Sequence, residues 1–551
     1  MDVLQNIIYF AIFIGVLVTV HELGHFVAAK WAGVKVLKFS IGVGPKLFSL
    51  RRGETEYQIA ALPLGGFVQM LGQHPGDEGG PDETHRSFLA AAWWKRMIIV
   101  SAGPAFNFLF PVLVYFFVFL GDHQVVAPRV GWVEPGLPAA MAGVLPGDLI
   151  TRVEGKPIRS FDEIRPALEG VFERPIAVGV QREGRELQLQ VTPRKNVESN
   201  QIEKITRGLL GISPNPRPAI VGVPETSPAH AAGLRTFDRI LQVDGQVVRD
   251  ELQLLRALGR GTGPYAVQVV RSELVDVGGA SLVKPQLLSL TVPRQAGAGL
   301  EALGVESGDL YAWAVFPESP AARAGLRPGD RLLAVNGAPL SSWFTLQLQL
   351  KAAERTPFEL EWRSGTELKR KALSQVQEDV LDELKNRSEV LELGVRPRAA
   401  FLGAELLAAG PEMERITIHM GPGEALLAAS RTVPEAIRTV ALVMGKLFTR
   451  DIPLESVGGP ILLFQVASRS AEAGYETFLK NMALVSVNLG LVNLLPIPIL
   501  DGFGLLAAAW EGIRRRPVPE TARELAYKIG FAMLAVLMVL VFKNDITKML
   551  R

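Results

Sequence analysis

Residues 21–25 read His-Glu-Leu-Gly-His, and in a chain with only seven histidines two of them four apart stand out. On an α-helix, residues i and i+4 share a face, so both imidazoles can reach one metal ion while Glu22 projects beside them. Nitrogen ligands that leave an open metal position, with a carboxylate able to take a proton from an attacking water, are the parts that zinc-assisted hydrolysis needs. A third ligand is expected from another part of the chain, and Asp501 is the candidate. It follows Pro496 and Pro498, two prolines so close that a helix must break there. Cysteine is absent, which excludes thiolate metal sites, a cysteine nucleophile and a disulfide scaffold together.

The elements that must position these groups are apolar. Of 551 residues, 48% are hydrophobic and 21% charged, the reverse of a disordered composition. The 58 basic and 56 acidic residues leave no general basic footprint, so no nucleic-acid partner is expected. Met97–Leu120 is a 24-residue run without a charge and Met482–Leu500 another of 19, each long enough to cross about 30 Å of hydrocarbon. Ile7–Val20 continues through the histidine pair, and Ile529–Phe542 is flanked by Lys528 and Lys543, which can snorkel. The expected spans are 1–30, 97–120, 482–502 (broken at its prolines) and 525–543. The first is not a cleaved signal: Met1–Asn6 has no basic residue and no small-residue cleavage site follows. Lysine and arginine concentrate between spans one and two and between spans three and four, so both loops read as cytoplasmic. The histidine pair and Asp501 then share that side, and the long segment after residue 120 lies opposite.

That long segment repeats itself. Around 138, 228 and 320 the chain reads GLPAAMAGVLPGD, TSPAHAAGLRTFD and ESPAARAGLRPGD. Each is followed by a short apolar run and a turn pair, Glu154-Gly155, Asp244-Gly245 or Asn336-Gly337. The pattern predicts a short helix opened by proline and closed by glycine, then a strand and a tight turn. It resembles the PDZ domain of bacterial envelope proteases, in three copies at 128–195, 217–295 and 310–395. The second copy has Thr236-Phe237 where the others have Pro-Gly, leaving open whether its turn has the same shape. PDZ domains take extended peptides by strand addition; spacers that bind nothing are the plainer alternative.

Taken together, the HELGH segment, the N-x-x-P-x-P-x-x-D-G stretch from Asn493 to Gly502 and the inserted repeats resemble the site-2 protease family of intramembrane zinc metalloproteases. The likeness extends to FSIGVGPKL (39–47), IAALPLGGFVQM (59–70) and SAGPAFNFLF (101–110), so it covers most of the chain. The resemblance implies that His21, His25 and Asp501 bind Zn2+ and that Glu22 is the general base. It implies that Asn493 and Asn488, with Pro496, Pro498, Gly65 and Gly66, serve substrate binding. Two departures stand out: Phe503-Gly504 follows Asp501-Gly502 where the family often has Gly-His, and there are three PDZ copies rather than one or two.

The expected architecture is a polytopic α-helical membrane protein of about four transmembrane helices with an inserted tandem of PDZ-like α+β domains. Residues 34–72 read as a β-loop; by resemblance it dips into the membrane and its edge pairs with unwound substrate. Residues 423–448 read as an amphipathic helix on the outer membrane surface. The expected activity is zinc-dependent cleavage within the membrane of pre-trimmed single-span proteins, such as anti-sigma factors or signal-peptide remnants. The setting would be the bacterial inner membrane, with the PDZ copies outside and the site toward the cytoplasm. The rival is a catalytically silent membrane receptor whose PDZ array captures unfolded or C-terminal peptides.

Overall fold

The structure is a computed structural model that describes residues 3–73, 81–199, 204–277, 280–353, 356–381, 387–397, 413–452, 454, 457–516 and 518–550. Parts of the second and third repeats (278–279, 354–355 and 382–386) lie outside the described residues.

Helix α1 is Val3–Ala32 and helix α2 is Trp93–Leu120. After the repeats come α3 (Pro422–Thr449), α4 (Pro460–Glu472), α5 (Tyr475–Asn493), α6 (Asp501–Arg514) and α7 (Glu520–Leu550). Among the described residues three helices are long and apolar enough to cross a membrane, within α1, α2 and α7. The apolar run 482–502 is divided between α5 and the start of α6, with the break at 494–500. Helix α2 is the hub: it packs on α1, α3, α5 and α6. Helix α3 is therefore more than a surface helix, because its small residues Ala425 and Ala429 are fully buried. Helix α4, which the sequence reading left unassigned, packs on α1 and α5. Its first turn is capped from α7, where buried Asp545 accepts hydrogen bonds from the Gly459, Ile461 and Leu462 amides at 2.9, 3.0 and 3.3 Å.

Strands β1 (Val36–Arg52) and β2 (Thr55–Met70) fold back on themselves. Residues 36–41 pair with 66–70 on one side and with 56–59 on the other, and 48–52 pair back onto 55–59. The segment 66–70 is thus an edge of this sheet. Its far end is tied down by Glu54, whose carboxylate meets Lys30 of α1 at 2.7 Å and Arg86 at 2.8 Å.

The middle of the chain forms three units with one plan. Each has an antiparallel four-stranded sheet in the same order. Each also has a short helix opened by proline, Pro138–Met141, Pro228–Ala231 or Pro320–Ala324. A closing strand pairs back onto the opening one: Ile212–Ser213 on Trp132–Val133, Val221–Gly222 with Glu306–Ser307, and Ala312–Val315 with Val395–Pro397. Every unit buries its own hydrophobic core. The Thr236-Phe237 turn has the same shape as its counterparts. The Phe237 amide bonds the Val221 carbonyl at 2.8 Å, as Gly147 and Gly329 bond Val130 and Ala312. To do so Phe237 adopts φ +77°, matching φ +96° and +91° at the two glycines.

The Glu54 anchor generates a pH prediction. Hydrogen bonds from Arg86, then Lys30, hold its carboxyl down from an ordinary value near 4.5 to about 2. The resulting stabilisation is present above about pH 4.5 and is lost as the pH falls toward 2. For a pair this exposed it amounts to about 1 kcal/mol or less. Glu54→Gln should lower the thermal midpoint slightly at pH 7 and not at pH 2; an equal gap at both values would contradict the anchor.

Candidate metal centre

Helix α1 presents His21 and His25 on one face, as their spacing requires, and both are buried. Asp501 reaches them because of how α5 ends. Pro496 and Pro498 lack amide donors, so the helix cannot continue. Ile499 turns the chain at φ +90°, a conformation that a β-branched residue adopts only under constraint. Helix α6 then restarts with Asp501 in its first turn, where a carboxylate suits the exposed amides. Gly502 allows the restart to tuck against the end of α5: a Cβ there would lie 2.3 Å from the carbonyl oxygens of Leu494 and Leu495. Phe503, the departure from the family pattern, sets its ring edge against Tyr527 of α7 at 6.0 Å.

The three groups converge. His21 Nε2 and His25 Nε2 lie 3.2 and 3.5 Å from Asp501 Oδ2, and the two nitrogens are 3.3 Å apart. A tetrahedral ion with bonds of about 2.1 Å has donor-to-donor edges of about 3.4 Å. The donor set therefore fits such an ion in spacing as well as in chemistry. The outer imidazole nitrogens are engaged too. His25 Nδ1 is 2.8 Å from the Ile99 carbonyl, to which its N–H donates, and His21 Nδ1 is 3.0 Å from the Asn107 amide nitrogen; with Nε2 on a metal its N–H would donate to Asn107 Oδ1 once that side-chain amide is turned over, which would satisfy a buried oxygen. Partners of this kind orient metal-binding imidazoles.

Both outer partners sit on α2, which comes unusually close. A Cβ on Gly24 would lie 2.2 Å from the Ala102 carbonyl oxygen. One on Gly103 would lie 2.3 Å from His25 Nε2 and 2.8 Å from His21 Cε1. Asn107 is wholly buried, and its own carbonyl accepts from Ser486 of α5 at 2.9 Å. Arg96 at the start of α2 forms a close ion pair with Glu511 of α6. The hub helix thus holds the donors from α1 and α6 together.

A cavity of about 470 Å³ opens on the centre, lined by His21, Glu22, His25, Asn493 and Asp501. The edge segment Phe67–Met70 lines it as well, along with Phe88, Val100 and Ile499. Asn493 stands with its amide nitrogen 3.5 Å from both ring nitrogens of His21. Gly66 lets the edge segment approach Glu22, since a Cβ there would meet Glu22 Cγ at 3.2 Å. The other expected substrate contacts are not brought here. Asn488 is exposed on α5, and Gly65, Pro496 and Pro498 are outside the cavity wall. The Pro498 carbonyl instead faces Gly530 of α7. Sequence reasoning overlooked Gly103 and Asn107. The available signal was a carboxamide in the middle of the charge-free run 97–120, four residues after a glycine.

The class that this arrangement defines is a metal-dependent peptidase set inside a bundle of apolar helices. The model of peptidase family M50 matches residues 9–537, and the chain belongs to that family, the site-2 proteases, and is a metalloendopeptidase. Similar proteins include protease RseP of Yersinia pestis, 31% identical with all of both chains covered. They also include regulator of sigma-E protease RseP of Salmonella typhimurium (29%, all of both chains). The protein of the same name in Escherichia coli K12 is 28% identical over 99% of each chain.

The glycine contacts can be tested against each other. Gly103→Ala should push the imidazoles out of register and lower proteolysis by at least tenfold, with helix content unchanged. Gly15→Ala, where nothing lies within 4 Å, should leave activity intact and, by helix propensity, stability equal or higher. Full activity in Gly103→Ala would mean that the close approach of α2 is dispensable.

Proposed function

We propose that this zinc metalloendopeptidase cuts the transmembrane segments of single-span proteins, with His21, His25 and Asp501 as the metal ligands. The observation that carries the reading is the convergence of two imidazole nitrogens and one carboxylate oxygen at 3.2–3.5 Å beside Glu22. Zinc, when bound, polarises a carbonyl and makes water acidic enough to attack at neutral pH. Glu22 takes the proton from the attacking water and returns it to the leaving amine. Asn493, at the cavity wall beside His21, donates to the carbonyl oxygen of the scissile bond. Asp501 and the imidazoles stay fixed through their α2 and α6 supports.

A peptide bond within a membrane helix is shielded by its own hydrogen bonds, so substrate must be unwound first. Phe67–Met70 of the edge segment line the cavity, and an unwound strand can add to that edge through main-chain hydrogen bonds. Apolar neighbours Phe67, Phe88, Val100 and Ile499 suit the side chains of a membrane segment.

In this reading α5 supplies a fourth span, the site faces the cytoplasm of the bacterial inner membrane, as the basic loops favour, and the PDZ-like units stand outside. The substrates are proteins already trimmed outside, of the anti-sigma-factor or signal-peptide-remnant kind. Relatives named regulators of sigma-E support that class. A silent PDZ receptor would have no need of a complete donor set with its glutamate.

Purified protein should hold one zinc per chain by elemental analysis. Glu22→Gln should keep that zinc and lose cleavage of a membrane reporter by roughly 10²–10⁴-fold, whereas His21→Ala and Asp501→Ala should lose metal. Near-normal cleavage by Glu22→Gln would overturn the mechanism.

A further inference from the structure

The three repeat units meet at one side chain. Arg217 lies in the link between the first and second units and is mostly buried. Its guanidinium stacks on Trp132 of the first unit, 4.0 Å from the ring centre, and faces Glu134 of that unit at 3.6 Å. It also faces Glu251, the first residue of a helix in the second unit, at 4.0 Å, and Asp309, in the link to the third, at 3.3 Å. Asp309 in turn accepts from the Trp343 amide, which opens a helix of the third unit, at 2.7 Å. One cation thus faces three carboxylates drawn from both ends of the array.

A second seam joins units two and three without using Arg217. Glu306, on the closing strand of the second unit, is gripped by Arg331 at 2.7 Å, Arg363 at 2.9 Å and the Tyr311 hydroxyl at 2.7 Å, all from the third. The Tyr311 ring lies over Gly222, where a Cβ would come within 2.0 Å. Phe237 sets its ring edge-on to Trp313, with centroids 4.9 Å apart, and to Tyr311 at 6.4 Å. Its left-handed backbone is the position that the other two copies give to glycine. A phenylalanine there is strained by roughly 1 kcal/mol or more, and nothing inside its own turn requires it, since the turn has the same shape with glycine. The side chain is explained by what it touches across the seam. The first and third units also meet directly, through Ser341 to the Pro135 carbonyl at 3.2 Å and Lys351 to the Val197 carbonyl at 2.6 Å.

We propose that the three units are one rigid body, closed in a ring around Arg217 and wedged at the second seam by Phe237. Units joined by short links in one chain move independently by default. Here the third copy braces the other two instead of adding a mobile module. Burial of Glu251 pushes its carboxyl above the ordinary range, so a positive neighbour is needed for the cluster to stay ionised, and Arg217 is that neighbour.

The test uses the full chain in lipid nanodiscs, and the absence of native cysteine makes spin labels unambiguous. Labels go on the exposed strand residues Gln188, Gln286 and Lys371, one in each unit, as pairs of cysteine substitutions. Pulsed dipolar spectroscopy should return one narrow distance for each pair. Arg217→Gln should at least double the width of the 188–371 distribution. Phe237→Gly should widen the 286–371 distribution without lowering the thermal midpoint of the second unit, because it relieves the strained backbone. Broad or multiple distances in the parent protein would overturn the proposal, as would unchanged widths in Phe237→Gly even if Arg217→Gln fails to fold.

Discussion

Two buried imidazoles and a partly buried carboxylate among apolar helices are costly unless they meet a partner, and much of the helical region is arranged around that constraint. Asp501 comes within 3.2 Å of His21 only because the chain breaks at two prolines and restarts with an aspartate. The imidazoles hold their direction because α2 offers the Ile99 carbonyl and the Asn107 amide to their outer nitrogens. That helix can be so close because residues 24 and 103 have no side chain. Ser486, Arg96 and Glu511 then fix α2 to the two helices that flank the break.

The same constraint explains what was legible in the sequence. Spacing placed His21 and His25 on one helical face, and charge-free length fell on α1, on α2 and on the middle of α7, which runs past the expected 525–543 at both ends. Periodic proline, glycine and aspartate showed three copies of one unit. What sequence could not give was contact. Gly103 and Asn107 become part of the centre only through the approach of two helices far apart in the chain. Asn488 matches a motif but points away from the cavity, because α5 shows the site one face and Asn493 is on it. Pro496 and Pro498 act on the backbone, by ending α5, and are not among the residues lining this cavity. The turn at Thr236-Phe237 keeps the shape of its counterparts with Phe237 in the left-handed region and its ring edge-on to Trp313.

The repeat units and the centre follow different rules. Around His21, His25 and Asp501 the polar groups are few and largely withdrawn from solvent, as an apolar surround demands. Between the repeat units the contacts are charged and aromatic, with Arg217 and Glu306 each meeting several partners. Such seams resemble interfaces between separate proteins more than a shared core, which fits three units that each bury their own apolar residues.

The central claim is that one zinc ion is held by His21, His25 and Asp501. X-ray absorption at the zinc edge of the purified protein tests it most directly. Expected are a first shell of nitrogen and oxygen at about 2.0–2.1 Å with outer-shell scattering from two imidazoles, and in Asp501→Ala a changed shell in any metal that remains. A shell with fewer than two imidazoles, or a spectrum that Asp501→Ala leaves unaltered, would contradict it.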